Sequence, residues 1–151
     1  MLLHDAKTGN NHALDFRETA PAAAHRDLYL DENNNIIEGE SIYSHRSIGV
    51  PGSVAGFEHA LNNWGSMSLK EVIRPAINLA KKGFPVSQTL AQMLLVQQKQ
   101  LEKWPATRQI FFNGERPLQA GELLIQKDLA RSLKLIAKQG AKAFYEGRIA
   151  R

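Results

Sequence analysis

Cysteine is absent from the 151 residues. That excludes disulfides, thiol nucleophiles and thiolate metal sites, and it leaves the compartment open, because exported proteins also do without cysteine. No apolar run approaches the roughly 18 to 20 residues that a membrane span requires. The opening Met1-Leu2-Leu3-His4-Asp5 has no basic region followed by a long apolar stretch, so no signal peptide is expected within these residues. Gly-Lys-Ser/Thr, the end of a phosphate-binding loop, does not occur, and Gly49, Gly52 and Gly56 do not follow that loop's pattern. The histidines His4, His12, His25, His45 and His59 include no i, i+4 pair with an intervening glutamate, so neither a zincin-type metal site nor any other metal or cofactor is expected.

Ser53 and Ser66 lack the glycines of a nucleophile elbow, and Ser53 reads more simply as a helix cap. Asp15, Glu18, Asp27, Asp31 and Glu32 show no spacing that argues for paired acid and base work. The net charge of +4 comes from 19 basic and 15 acidic residues. The basic residues are dispersed among the acidic ones and form no aromatic-studded stripe, so no nucleic-acid partner is expected. With 43% hydrophobic and 23% charged residues the chain has the balance of a folded, water-soluble protein.

Two short runs with partial alternation, 1–6 and 12–19, flank the turn-forming Lys7-Thr8-Gly9-Asn10-Asn11 and predict a β-hairpin. In its second strand Leu14 and Phe16 face one way, and Ala13, Asp15 and Arg17 the other. The Ala-rich stretch from Ala20-Pro21 to Tyr29 reads as a short helix, and 31–47 as an irregular surface loop. Helices are predicted over 54–63, with Ser53 as cap and Gly65 as stop, and over 69–82. The latter has a Ser68/Glu71 capping box, an interior proline at Pro75 and Gly83 as its end. A third is predicted over 87–103, with Leu90, Met93, Leu94 and Leu101 as its apolar stripe and Trp104-Pro105 as its stop. Ile110-Phe111-Phe112 reads as a short strand or buried anchor before an Asn113-Gly114 turn, and two further helices follow over 128–139 and 141–145. The hairpin has no third strand of comparable quality, and Arg148-Ile149-Ala150-Arg151 reads as a helix begun and not finished. A missing remainder is therefore expected at both ends. From the residues alone the chain is an α+β segment with no catalytic constellation of its own.

Four stretches carry a resemblance. His4-Asp5-Ala6 through Ala13-Leu14-Asp15-Phe16-Arg17-Glu18-Thr19-Ala20-Pro21 resembles the strand pair of the γ-glutamyltransferase (γ-glutamyltranspeptidase) large subunit, among the N-terminal nucleophile hydrolases. Gly49-Val50-Pro51-Gly52-Ser53-Val54-Ala55-Gly56-Phe57 and Arg74-Pro75-Ala76-Ile77-Asn78-Leu79-Ala80 fit the same family in the same order, as does Phe144-Tyr145-Glu146-Gly147.

The resemblance implies a single partial domain over 1–151, part of a four-layer αββα fold, with one hairpin and about five helices. It implies a precursor that cuts itself to expose a threonine, which acts as nucleophile through its own α-amino group. The threonines here, Thr8, Thr19, Thr89 and Thr107, lie in no threonine-rich processing motif, so the nucleophile is expected in the small subunit, and the isolated chain is expected to be inactive. The implied partners are a γ-glutamyl substrate such as glutathione, the remainder of the large subunit, and the small subunit. Self-association of the isolated chain is also expected. The implied compartment is periplasmic or secreted for the parent enzyme, and cytoplasmic should this chain be the whole gene product. Arg17 matches the arginine with which the family grips the substrate α-carboxylate; without the motif, its spacing fits a surface arginine paired with Asp15 or Glu18. Three other readings share the same residues: a silent remnant or interaction module, a relative acting on cephalosporin side chains, and one that cleaves poly-γ-glutamate.

Overall fold

The computed structural model describes residues Met1–Arg151, which divide into two compact units, Met1–Ser66 and Met67–Arg151. The first opens with β1 (Leu2–Asp5) and β2 (Asn10–Ala13), antiparallel with Leu2 opposite Ala13 and Asp5 opposite Asn10. Their turn is closed by Asp5, whose carboxylate accepts from the Lys7 amide and the Thr8 hydroxyl while its carbonyl accepts from Gly9 N–H. Gly9 supplies the positive φ of 75° that the turn needs. The expected hairpin is present, but its second strand ends at Ala13. Beyond it the chain stays extended, and the burial alternation persists: Leu14 and Phe16 are half-buried, while Asp15 and Arg17 are exposed.

The Ala-rich stretch does not form a helix. Its hydrogen bonds, Ala24 to Pro21, Leu28 to His25 and Leu30 to Asp27, are separate i→i+3 turns, and nearly every residue from Ala22 to Asp27 is exposed. Without an apolar face to bury, a run this short does not recover the cost of helix nucleation. The following loop holds the single-turn helix α1 (Glu40–Tyr43) and a 3-10 turn at His45–Ser47. It is tied back by the Tyr29 hydroxyl donating to Arg46 C=O at 3.3 Å and by Arg46 Nη1 donating to Leu28 C=O at 3.3 Å.

Helix α2 (Ser53–Trp64) completes the first unit. Its cap is Gly52 and Ser53 is its first helical residue, so the expected capping role of Ser53 is not found. Gly65 follows as expected, its N–H bonded to Leu61 C=O. The helix runs antiparallel along the extended segment: the His12 and Trp64 rings are 4.8 Å apart at one end, and those of Phe16 and Phe57 5.6 Å apart at the other.

In the second unit α3 (Leu69–Lys82) has the predicted capping box: Ser68 accepts from Glu71 N–H, and the Glu71 carboxylate accepts from Ser68 N–H at 2.8 Å. The helix passes unbroken through Pro75 and ends at Gly83 with φ 82°. Strand β3 (Phe84–Pro85) leads to α4 (Gln88–Val96), capped by Ser87, and then to α5 (Gln98–Leu101). The helix predicted over 87–103 is thus two helices meeting at Gln97. Met93, assigned above to its buried stripe, is 61% exposed, whereas Leu94 is 6% exposed.

Pro105 starts a helix instead of only stopping one: α6 (Pro105–Phe111) has it in the first turn, where its fixed φ suits the helix and its missing donor leaves nothing unpaired. Ile110 and Phe111 are therefore helical, and only Phe112 joins β4 (Phe112–Asn113). β4 pairs with β5 (Arg116–Pro117) across the predicted Asn113-Gly114 turn. β6 (Leu123–Leu124) pairs antiparallel with β3, and Val86 extends that ladder by bonding to Glu122 C=O and Gly121 N–H. The core of this unit is Val86, Leu94, Leu118 and Leu124, with Phe84, Leu90, Leu101, Ile110 and Phe111 packed on it. Helix α7 (Lys127–Gln139) lies on α3 with Ala80 and Ala130 buried, and α8 (Ala141–Tyr145) follows Gly140. Small residues let the α3 and α7 backbones approach closely, while α7 also buries Ile136. No helix is long and apolar enough to cross a membrane.

Candidate functional site

The segment that carries Arg17 leaves the hairpin pairing after Leu14, which exchanges hydrogen bonds with Met1 at 2.9 and 2.8 Å. Its far end is fixed by an antiparallel bridge to the Gly49–Phe57 stretch, in which Thr19 N–H donates to Val50 C=O at 3.1 Å and Val50 N–H to Thr19 C=O at 2.8 Å. Three glycines then follow the segment backwards. A Cβ on Gly49 would lie 2.8 Å from Glu18 Cγ; one on Gly52 would lie 2.3 Å from Phe16 O and 2.9 Å from Arg17 O; one on Gly56 would lie 2.3 Å from Phe16 Cγ. None of the three has a positive φ. Their need for glycine is close approach: backbone against backbone at Gly52, and aromatic ring against helix at Gly56.

Within this cradle Phe16 turns inward between Gly56 and Phe57, which by alternation sends Arg17 outward. An Asx turn fixes the Arg17 backbone, Asp15 Oδ1 accepting its N–H at 3.1 Å. Glu18 holds the side chain, its Oε1 and Oε2 accepting from Arg17 Nε at 3.1 and 3.3 Å. The Glu18 carboxyl is pulled below its ordinary value, first by its own backbone N–H and then by the Arg17 guanidinium. Nη1 and Nη2 of Arg17 have no partner in the chain, and the side chain is 83% exposed. An open depression of about 380 Å³ lies here, with residues 14–18 on one wall and 51–53 on the other. It joins an exposed guanidinium to the N-terminal end of a 12-residue helix, two features that favour an anion.

Of the pairings that sequence spacing allowed, the structure shows both acids at work: Asp15 on the Arg17 backbone and Glu18 on its side chain. What sequence reasoning missed is the packing role of the three glycines, weighed only against a phosphate-loop pattern and as part of a resembling stretch. Gly56 was the available signal, since glycine inside a helix is penalised unless something packs close against it. The histidines are scattered: His4 Nδ1 is 2.8 Å from Asn11 Oδ1, while His12 and His59 flank Trp64. No three His, Asp or Glu residues are grouped so as to hold a metal ion.

The two stretches that meet in this cradle are two of those on which the resemblance rests, and the family model described as Gamma-glutamyltranspeptidase matches residues 1–151. The chain belongs to the γ-glutamyltranspeptidase family. It is 42% identical over its whole length to a glutathione hydrolase proenzyme of Bacillus subtilis (strain 168), and 43% identical over 99% of its length to one of Escherichia coli (strain K12). In each case it spans 26% of the relative, so it covers about a quarter of the length of these γ-glutamyltranspeptidase relatives. The crystal structure of Helicobacter pylori γ-glutamyltranspeptidase superimposes with a TM-score of 0.94 at 40% identity, over 99% of this chain and 43% of that one. The expected fold class holds, a mixed helix-and-strand part of an N-terminal nucleophile hydrolase fold that is 47% helical, but with eight helices and three two-stranded sheets where one hairpin and about five helices were expected.

Proposed function

We propose that the chain is a large-subunit segment of a γ-glutamyltransferase or glutathione hydrolase, and that Arg17 grips the α-carboxylate of the γ-glutamyl substrate. The observation that carries this is the division of labour on one guanidinium. Glu18 occupies Nε, which fixes the plane of the group, and the two η nitrogens remain as a free, coplanar fork at the rim of the depression. A carboxylate accepts two parallel N–H bonds from such a fork, and lysine has no equivalent. Both units are taken as parts of one partial domain, completed by the rest of the large subunit and by the small subunit.

The chemistry requires a nucleophile that this segment does not supply. Thr8 donates its hydroxyl to Asp5 Oδ2, and Thr19 sits in the bridge to Val50. In the complete enzyme a threonine hydroxyl at the start of the small subunit attacks the γ-carbonyl carbon while its own α-amino group takes the proton. The amide C–N bond breaks, and the amine leaves with that proton. The resulting γ-glutamyl ester then passes to water or to the amine of an acceptor amino acid. Arg17 holds the far end of the substrate throughout, so its contribution is to binding and orientation. We take the parent enzyme to be periplasmic or secreted, as the family resemblance implies.

Hydrolysis of a chromogenic γ-glutamyl anilide tests this, first by the chain alone and then after assembly with the complementing large- and small-subunit segments. The expected result is silence alone and activity on assembly, sharply reduced when Arg17 is replaced by Ala. Activity of the chain alone would overturn the assignment of the nucleophile. Silence of a demonstrably assembled complex would favour a non-catalytic remnant. Cleavage of a cephalosporin side chain or of poly-γ-glutamate in preference to the anilide would move the enzyme to one of those relatives.

A further inference from the structure

We infer that Gly52 and Gly56, acting through Phe16, are positioning residues that set where the Arg17 guanidinium stands, and hence the affinity for the substrate α-carboxylate. The inference rests on the proposed role of Arg17 and adds to it the device that places the group. Arg17 is not in a strand, so no ladder fixes its height above the depression. Its position is set from three directions. At Gly52 the helix-entry backbone approaches the Phe16 and Arg17 carbonyls more closely than any side chain would permit. At Gly56 the missing Cβ leaves the space that the Phe16 ring fills, edge-on to Phe57. At the third, the Thr19–Val50 bridge and the Gly49–Glu18 contact fix the residue whose carboxylate holds Arg17 Nε.

A methyl group at position 52 meets backbone, which cannot rotate away, so the 16–17 peptide must shift. A methyl at position 56 meets the Phe16 ring and Cβ, and displaces them away from α2. Either change moves Arg17 without altering its chemistry. A displacement of about 1 Å is enough to spoil a two-point hydrogen-bonded contact. The reacting γ-carbonyl lies at the other end of the substrate, so the loss should fall on binding of the carboxylate and not on the chemical step.

The test uses the complete, self-processed parent enzyme with Gly52→Ala, Gly56→Ala and Phe16→Leu, beside Arg17→Ala. Two anilides are compared, the γ-glutamyl compound and its 4-aminobutanoyl counterpart, which lacks only the α-carboxylate. Expected for each of the first three variants is a rise of about tenfold or more in KM for the γ-glutamyl anilide, kcat within about threefold, and little change in kcat/KM for the 4-aminobutanoyl anilide. Phe16→Leu keeps a folded readout should the alanine variants fail to mature. A fall in kcat at unchanged KM, or equal losses on both substrates, would overturn the inference in favour of a purely structural role. Should Arg17→Ala itself leave KM unchanged, the carboxylate grip fails. Should Arg17→Ala raise KM while the other three do not, the grip stands and the positioning role fails.

Discussion

Arg116 and Glu122 are joined by two hydrogen bonds, Nη1 to Oε2 at 2.8 Å and Nη2 to Oε1 at 2.9 Å. Glu122 also accepts from Gln119 N–H and from Asn113 Nδ2 at 2.9 Å, so one carboxylate ties both strands of the β4–β5 hairpin to the loop that leads into β6. The guanidinium of Arg116, followed by the Gln119 amide and the Asn113 side chain, holds this carboxyl far below the usual carboxylate range. The folded state therefore releases the Glu122 proton more readily than the unfolded chain does. Its stabilising contribution is complete above the ordinary value near 4.5 and is lost progressively as pH falls from there toward the depressed value. Denaturant titrations of the wild-type chain and Glu122→Gln at about pH 7 and about pH 3 check this: the variant should be less stable at neutral pH and lose less on acidification. Parallel pH profiles would contradict it.

Leu124 is 3% exposed in the cluster with Val86, Leu94 and Leu118. Leu124→Ala should cost about 2 to 5 kcal/mol, the transfer of the lost carbons plus the cavity they leave. Leu123→Ala, one residue away and 57% exposed in the parent side chain, should change stability little. The two denaturation midpoints, measured side by side, separate core packing from loss of strand propensity.

The Ser68 hydroxyl and the Glu71 carboxylate satisfy each other's backbone donors at the start of α3. Ser68→Ala should cost on the order of 1 kcal/mol, while Ser68→Asp should retain most of the cap. A loss equally large for both would show that the hydroxyl serves something besides capping.

In the assembled enzyme Arg17→Ala should cost on the order of 2 to 5 kcal/mol in kcat/KM for γ-glutamyl substrates. Arg17→Lys should recover only part of it, because an ammonium keeps the charge but loses the fork. Full activity of the lysine variant would show that charge alone suffices.

The isolated chain should self-associate. Leu2 is 87% exposed on a two-stranded sheet with open edges, and Ile36, Ile42, Leu95 and Val96 are each more than 60% exposed. Sedimentation velocity over a concentration series should show mass rising with concentration; a constant monomer would refute this.

How far the sequence revealed these features depended on the range of the interactions behind them. The α3 box, the Gly83 terminator and the Asn113-Gly114 turn are contacts between near neighbours, and each was readable from a few consecutive residues. The β3–β6 pairing was not, because Phe84 and Leu124 are two-residue strands far apart in the chain with no alternation to betray them. Pro105 was ambiguous for another reason: the same missing N–H that ends one helix suits the first turn of the next, and only the following residues' packing decides. For Arg17 the motif supplied a candidate, and alternation gave its outward direction correctly. The close approach of Gly52 to the 16–17 backbone was not legible, because Gly52 stands just before a helix where glycine is unremarkable; only Gly56, inside the helix, hinted at a neighbour.

The bridge between Thr19 and Val50 closes the intervening stretch at its base. The stretch from Ala20 to Ile48 is thereby a detour whose two ends are already joined, and a change in its length need not reach the segment that carries Arg17. A short flexible epitope spliced in at the exposed Asn33–Asn35 turn should leave the arginine where it is, whereas one residue added between Arg17 and Thr19, or between Val50 and Gly52, would throw the two sides out of step. Length added on the outer side of that closure is absorbed there, away from the arginine.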